Sequence, residues 1–186
     1  MVLSLDEVSD FFDAIPNLKQ RMTIMTAYAG GLRTSEVVRL RIPDIDSRRM
    51  VIRVDQGKGR KDRYLPLSPK LLALLRLYWK VVRPTDWLFP GRRPGQHMSA
   101  DRAEQACRDA RKAMGTTKQV TVRMLRHCFG THLLESGTNI RVIQILMGHR
   151  RLETTAIYTH VSNQTLAHTP SPFDLLPGIP DPDHAK

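Results

Sequence analysis

The stretch Leu146-Met147-Gly148-His149, followed by Thr154-Thr155-Ala156-Ile157-Tyr158-Thr159-His160, is the most informative part of this chain. Tyr158 comes nine residues after the histidine. Upstream lie Gly31-Leu32-Arg33-Thr34-Ser35-Glu36 and Leu125-Arg126-His127. The order arginine, arginine, histidine, tyrosine suits chemistry at a phosphate. Guanidinium forks bind phosphate oxygens, and a tyrosine hydroxyl is a potential nucleophile.

Length and composition indicate a single globular domain. The chain has 186 residues, of which 41% are hydrophobic. We find no unbroken apolar run of about 18 residues and no secretory signal pattern, so we expect no membrane span. Cys107 and Cys128 lie far apart, which favours two buried free thiols in a reducing cytosol over a disulfide framework or a zinc site.

The charge of the chain is strongly positive. Lysine and arginine total 29 against 18 acidic residues, a formal net charge of +11 with a sequence pI near 10.3. Between residues 48 and 63 seven residues are basic and two are acidic. The basic ones are Arg48, Arg49, Arg53, Lys58, Arg60, Lys61 and Arg63. This concentration favours a polyanionic partner such as nucleic acid, although charge alone does not separate DNA from RNA or an acidic protein.

Hydrophobic periodicity and capping residues predict a mainly α-helical α+β domain. Helices are predicted over residues 5–14, 18–28, 35–40, 71–82, 100–114, 122–135, 139–147 and 152–161. Residues 50–54 alternate and are β-branched, and residues 63–67 return after a glycine-rich turn at 57–61. These segments predict an antiparallel β-hairpin with a cationic tip, and hence a small antiparallel sheet.

The last part of the chain differs in composition. Beyond Thr169 there are five prolines in 17 residues, which predicts an extended tail with Phe173-Asp174-Leu175-Leu176 as its apolar part. We therefore divide the chain into a domain over residues 1–163 and a proline-rich tail over residues 164–186, which is either mobile or docks on a neighbouring protomer.

As a set, these motifs resemble the phage-integrase or tyrosine-recombinase family, with Xer-like spacing. The resemblance implies the catalytic-domain fold of that family. It also implies DNA strand cleavage in which Tyr158 forms a 3′-phosphotyrosyl intermediate and frees a 5′ hydroxyl. No cofactor and no metal is implied, because the covalent link conserves the bond energy.

The resemblance also assigns roles to individual residues. Arg33 and Arg126 match the family's two phosphate-clamp arginines. Lys58 matches the hairpin lysine that protonates the departing 5′ oxygen, although Lys61 on the same turn is an alternative. His149 matches a histidine that bonds to the scissile phosphate. The remaining expectations are that Glu36 orients Arg33 or a neighbour, that Arg53, Arg60, Lys61 and Arg63 contact DNA, and that His127 and His132 are packing groups.

One position departs from the family pattern. Arg123 stands where the family usually has a histidine credited with proton handling and a phosphate contact. Arginine holds phosphate but does not act as a base near neutral pH. Arg123 therefore favours one alternative, a catalytically impaired DNA-binding paralogue or fragment. A separate alternative, independent of this position, is a type IB topoisomerase, which shares the chemistry.

The resemblance also implies an assembly. Family members carry a separate N-terminal core-binding domain, and we expect that domain to be absent from this chain. The expected partners are double-stranded DNA and three further protomers in a tetrameric synapse, with the apolar tail residues docking on a neighbour. A bacterial or mobile-element origin and a cytoplasmic, nucleoid-associated location are implied.

Overall fold

The computed structural model describes residues 2–55, 62–148 and 171–177. Within these ranges the fold is mainly helical with a small antiparallel sheet, as predicted. The elements are α1 (Leu5–Asp13), α2 (Leu18–Ala29), α3 (Thr34–Val37), β1 (Ile45–Asp46), β2 (Val51–Val54), β3 (Arg63–Pro66), α4 (Pro69–Val82), α5 (Ala100–Ala113), α6 (Val122–Glu135) and α7 (Ile140–Met147), with short 3-10 helices at Ile42–Asp44 and Pro172–Leu175. The predicted hairpin tip at residues 57–61 and the predicted helix at residues 152–161 lie outside the described residues. None of the helices within these ranges is long and apolar enough to cross a membrane.

Local sequence sets where the helices begin. Ser4 accepts a hydrogen bond from the backbone of Glu7, whose carboxylate accepts the Ser4 N–H, so α1 starts with a capping box. Ser68 accepts from the Leu71 N–H, and Pro69 occupies the first position of α4. Side-chain caps also begin α2, α5, α6 and α7, at Asn17, Ser99, Thr121 and Asn139. These caps satisfy backbone donors that have no partner inside the helix.

The sheet has the strand order β1-β2-β3 and is antiparallel throughout. In its centre Ile52 lies opposite Ile45 on one side and Leu65 on the other. The pairing of β2 and β3 sets Val54 opposite Arg63 where the hairpin leaves the sheet. The sequence pattern did not predict β1, because two residues are too few to show alternation.

Helix α2 lies at the centre of the domain and contacts α1, α4, α5 and α6. Eight of its twelve residues are buried, because neighbouring elements cover most of its circumference. The hydroxyls of Thr23 and Thr26 donate to the carbonyls of Lys19 and Met22, at 2.8 and 2.7 Å, which satisfies two polar groups in the core. Helix α3 follows this buried helix in the chain and packs against it.

The cysteines and His132 pack in the interior as predicted. Cys107 and Cys128 are free and buried, and burial raises the pKa of the Cys107 thiol to about 12. His132 is buried in α6, with its ring nitrogens 2.8 Å from the Tyr28 hydroxyl and 2.9 Å from the Leu3 carbonyl. His127 differs from the expectation of a packing role, because it lies on the exposed face of α6.

Part of the predicted tail, residues 171–177, lies against its own domain. Phe173 is 0% and Leu176 2% exposed, and both belong to the core of their own domain. The ring of Phe173 lies 6.1 Å from that of Phe12, and the Ser171 hydroxyl donates to the Ala29 carbonyl at 2.9 Å. Burial of an apolar side chain is as favourable against its own domain as against a partner. Here the 3-10 helix at Pro172–Leu175 contacts α2, α4 and α6.

Candidate active site

Helix α3 brings Arg33 and Glu36 together at its first turn. Gly31 has a φ of +56°, and a Cβ there would lie 2.4 Å from the Phe129 ring, so a residue with a side chain would not fit this turn. The turn makes Arg33 the N-cap residue of α3. The Glu36 carboxylate then accepts the Arg33 backbone N–H at 2.8 Å and its guanidinium at 2.7 Å.

Arg63 reaches the same carboxylate from the sheet. Its two terminal nitrogens donate to the two oxygens of Glu36, each at 2.8 Å, and its Nε donates to the Leu146 carbonyl at 3.2 Å. The Arg63 side chain is 9% exposed. This position differs from the DNA-backbone contact expected for Arg63, because strand β3 directs the side chain under α3 rather than into solvent.

Arg126 completes a cluster of three arginines around one carboxylate. From α6 its guanidinium donates to the carbonyls of Gly31 and Met147, and it lies 3.9 Å from Glu36. The residue is 7% exposed. Burial and the nearby cations Arg33 and Arg63 lower the pKa of Arg126 to about 10, against the opposing effect of Glu36. Arg126 therefore stays charged at neutral pH while two backbone carbonyls hold its orientation.

The Glu36 carboxyl is strongly acidic in this setting. Burial by itself raises its pKa, but the fork from Arg63 and the bonds from Arg33 outweigh burial and bring the pKa to about 2. Three guanidinium groups then face a single carboxylate, which leaves two positive charges in excess. The side chain of Arg33 is 45% exposed, so the excess charge is open to an anionic ligand. A phosphodiester fits this arrangement, because planar guanidinium groups bind phosphate oxygens in pairs.

Two other predicted basic residues differ from the cluster arginines in having no described bond to Glu36. Arg123 occupies an exposed position in the first turn of α6, with no hydrogen bond or ion pair to any residue that the structure describes. Arg53 donates to the Asp44 carboxylate at 2.8 Å and lies 3.8 Å from Asp62. The buried carboxylate of Asp44 and the partly exposed one of Asp62 therefore hold its guanidinium, whose side chain is 44% exposed and accessible.

Several of the residues predicted to act lie outside the described ranges. They are Lys58, Arg60, Lys61, His149 and Tyr158. One described range ends at Gly148, one residue before His149. Gly148, with a φ of +59°, ends α7, and a Cβ there would lie 3.3 Å from the Arg63 side chain. Arg33 also reaches the Gly148 carbonyl at 3.4 Å. The residue before His149 thus lies beside the arginine cluster.

Glu104 is a residue of this region that the sequence did not indicate. From α5 its carboxylate accepts the Thr34 hydroxyl at 2.8 Å and the Val122 backbone N–H at 3.4 Å. It therefore links the first turns of α3 and α6, the helices that carry the cluster arginines. No local pattern distinguishes it from a solvated helix acid, because both partners are distant in sequence. Among the described residues no group of three or more His, Cys, Asp and Glu side chains is placed to hold a metal ion.

Comparison with known proteins gives this geometry a context. A family model described as the phage integrase family matches residues 1–165. The putative integrase/recombinase y4qK of Sinorhizobium fredii (strain NBRC 101917 / NGR234) is 50% identical over 187 residues, covering 100% of this chain and 61% of that protein. Tyrosine recombinase XerD of Caulobacter vibrioides is 37% identical over 183 residues, covering 90% of this chain and 59% of that protein. The chain thus spans about three fifths of the length of these relatives.

Solved structures share the fold. The crystal structure of XerA recombinase matches with a TM-score of 0.74 and 32% identity, covering 89% of this chain and 61% of that one. The structure of XerH bound to its difH substrate matches with a TM-score of 0.65 and 24% identity, covering 90% of this chain and 53% of that one. The structure of a lambda integrase tetramer bound to a Holliday junction matches with a TM-score of 0.67 and 20% identity, covering 83% of this chain and 48% of that one. These last two proteins are seen on DNA, the second of them as a tetramer.

Proposed function

This chain belongs to the phage integrase family, and from that premise we propose that it cuts and rejoins DNA strands as the catalytic domain of a site-specific tyrosine recombinase. Tyr158 is the nucleophile of this proposal. The observation that carries it is the meeting of Arg33 and Arg126, which are far apart in the sequence, on the carboxylate of Glu36. Two clamp arginines in one charged, partly open cluster suit a phosphodiester better than a neutral or cationic substrate.

The reaction balances without an external cofactor. The Tyr158 oxygen attacks phosphorus as its phenolic proton passes to water, and the bond from phosphorus to the 5′ oxygen breaks. Lys58 delivers a proton to that departing oxygen. A 3′-phosphotyrosyl bond and a free 5′ hydroxyl result, and attack by a 5′ hydroxyl from a second strand reverses the step.

The arginine cluster and His149 supply charge stabilisation in this scheme. Negative charge grows on the non-bridging oxygens as phosphorus becomes five-coordinate, and guanidinium groups fixed in advance stabilise that charge with little rearrangement. Arg126 is such a group, because two carbonyls hold it before any DNA binds. Arg33 is more exposed and is the first of the pair to meet the phosphate.

Arg123 has a narrower role than a histidine at its position. An exposed cation at the start of α6 is placed to hold phosphate, but it does not accept the proton of Tyr158 at neutral pH. General base help contributes on the order of 10²- to 10⁴-fold. We expect the chain to cleave DNA more slowly than its Arg123→His variant.

The partners follow from the chemistry. Exchange between two duplexes requires four strand cleavages, and we propose four protomers on two DNA duplexes. The 171–177 segment lies on its own domain, so we assign contact between protomers to other surfaces.

The test is incubation with suicide duplexes from a random-site pool. A nick beside each scissile position lets the 5′-hydroxyl fragment leave, so that a covalent complex accumulates and is seen on a denaturing gel. We expect a slow band from the unmodified chain, a stronger one from Arg123→His and none from Tyr158→Phe, the matched control that keeps the ring and removes the nucleophile.

Each other outcome has a distinct meaning. A band only from Arg123→His identifies Arg123 as the lesion and supports the impaired paralogue. DNA binding without a band from either chain refutes strand transfer. Relaxation of supercoiled plasmid by a chain that never exchanges strands favours the topoisomerase alternative.

A further inference from the structure

We propose that Arg63 is a positioning residue that locks α3, β3 and the end of α7 into one unit, and that it does not contact DNA. The inference deepens the proposed function, because Arg33 and the residue before His149 both belong to that unit. It assigns Arg63 a role different from the phosphate contact that its basic neighbourhood suggests.

The first support is the geometry of the bond to Glu36. The two terminal nitrogens of Arg63 meet the two carboxylate oxygens at 2.8 Å each, a parallel fork that fixes both planes. Glu36 in turn holds Arg33 through its backbone and its guanidinium. The orientation of Arg33 therefore depends on Arg63 through one carboxylate.

The second support is the bond to α7. The Nε of Arg63 donates to the Leu146 carbonyl at 3.2 Å, one of the acceptors left open at the end of that helix. Gly148 packs so closely that an added Cβ would lie 3.3 Å from the Arg63 Cδ and Nη1. Arg63 thus touches both the last turn of α7 and the residue that ends it.

The third support is the low exposure of Arg63, whose guanidinium uses three of its five N–H donors on protein acceptors. All three nitrogens of its guanidinium have protein acceptors, and its side chain is 9% exposed. Arg33, on the same carboxylate, is 45% exposed. The Arg33 guanidinium is therefore open to a DNA phosphate, whereas the surrounding protein covers most of the Arg63 side chain.

The experiment compares two substitutions with a matched control. Arg63→Lys keeps the charge and removes the fork, and Arg63→Gln removes both. Arg49→Lys is the control, because Arg49 lies in the same basic segment with a side chain that is 79% exposed and 3.9 Å from its acid. We expect Arg63→Lys to speed amide exchange at residues 33–38 and 145–148 about tenfold or more, with the α2 amides unchanged. Amide exchange at these residues that is no faster in Arg63→Lys than in Arg49→Lys would overturn the proposal.

Salt dependence of DNA affinity separates positioning from phosphate contact. Each phosphate contact contributes about 0.9 to the slope of log affinity against log salt on duplex DNA. We expect Arg63→Gln to leave the slope unchanged, and both substitutions to slow covalent complex formation on the order of 100-fold at saturating DNA. A slope reduced by about 0.9 in Arg63→Gln but not in Arg63→Lys overturns the proposal, as does cleavage at the unmodified rate.

The two proposals fail separately. If the unmodified chain binds DNA and forms no covalent complex, the proposed function fails, while amide exchange and the salt slope still decide the role of Arg63. If Arg63→Gln does not fold, Arg63→Lys carries the exchange and cleavage measurements.

Discussion

Replacing Glu36 with glutamine tests how much the arginine cluster contributes to folding. The carboxyl has a pKa of about 2 in the folded protein against 4.5 in the absence of its partners. At about 1.4 kcal/mol for each factor of ten in proton affinity, the ionised group stabilises the fold by about 3 kcal/mol at neutral pH. Glu36→Gln keeps the shape and loses the charge, so we expect its free energy of unfolding to be lower by about that amount.

The pH dependence gives a sharper expectation than the size of the effect. Because folding lowers the pKa of Glu36, the stabilisation is fully present above pH 4.5 and is lost as the pH falls towards 2. The difference in unfolding free energy between the unmodified chain and Glu36→Gln should therefore be largest at pH 7 and shrink below pH 4.5. Urea unfolding followed by circular dichroism at pH 7, 5, 4 and 3 measures it.

Other acids also titrate in this range, but they titrate in both proteins and cancel in the difference. Glu135→Gln is the matched control, because Glu135 is exposed on α6 and has no hydrogen bond or ion pair to a described residue. A difference that stays constant from pH 7 to pH 3, or one no larger than that of the control, refutes the assignment of Glu36 as an ionised counterion buried among arginines.

Five further substitutions, one of them a control, test packing and hydrogen bonding in the domain. Gly31→Ala should lower the free energy of unfolding by about 3 kcal/mol, since its Cβ meets an aromatic ring at 2.4 Å, whereas Gly137→Ala, also at positive φ but with open space around it, should cost about 1 kcal/mol; equal losses in urea unfolding would contradict the steric reading. Phe173→Ala should cost about 3 kcal/mol by the same method, because the ring is fully buried in its own domain, and no loss would show that the segment is not seated there. Thr34→Val should slow covalent complex formation about tenfold, and adding it to Glu104→Ala should cause no further loss, since Glu104→Ala already removes the acceptor of the Thr34 hydroxyl. Additive losses in single-turnover cleavage would argue against a shared linkage.

Features that depend on near neighbours in sequence were predictable. Helix starts followed from capping residues such as Ser4 and Ser68, and the β2–β3 hairpin followed from alternation on both sides of a glycine-rich turn. A two-residue strand such as β1 carries no such signal, because its pairing with β2 defines it and its own pattern does not.

The same distinction between local sequence signals and long-range contacts applies to the arginines. Arg33 and Arg126 were identifiable because each lies in a short motif in the right chain order. Arg63 was assigned to DNA because a basic residue in a basic segment has the same pattern whether its side chain meets solvent or a buried acid. The tail was predicted to dock on a neighbouring protomer for a related reason. The apolar residues Phe173 and Leu176 indicate that the tail packs against an apolar surface, but the sequence does not indicate whether that surface belongs to the same domain or to a neighbour.

The sequence by itself therefore indicated the family, through the resemblance of its motifs, and the mainly helical α+β class, through local periodicity and capping residues, and it supplied the candidate site residues in chain order. The tertiary structure decided that Glu36 gathers Arg33, Arg63 and Arg126, and that Glu104 links the first turns of α3 and α6. Such contacts join residues far apart in the chain, and their energies depend on burial and distance, which exist only once the domain has folded.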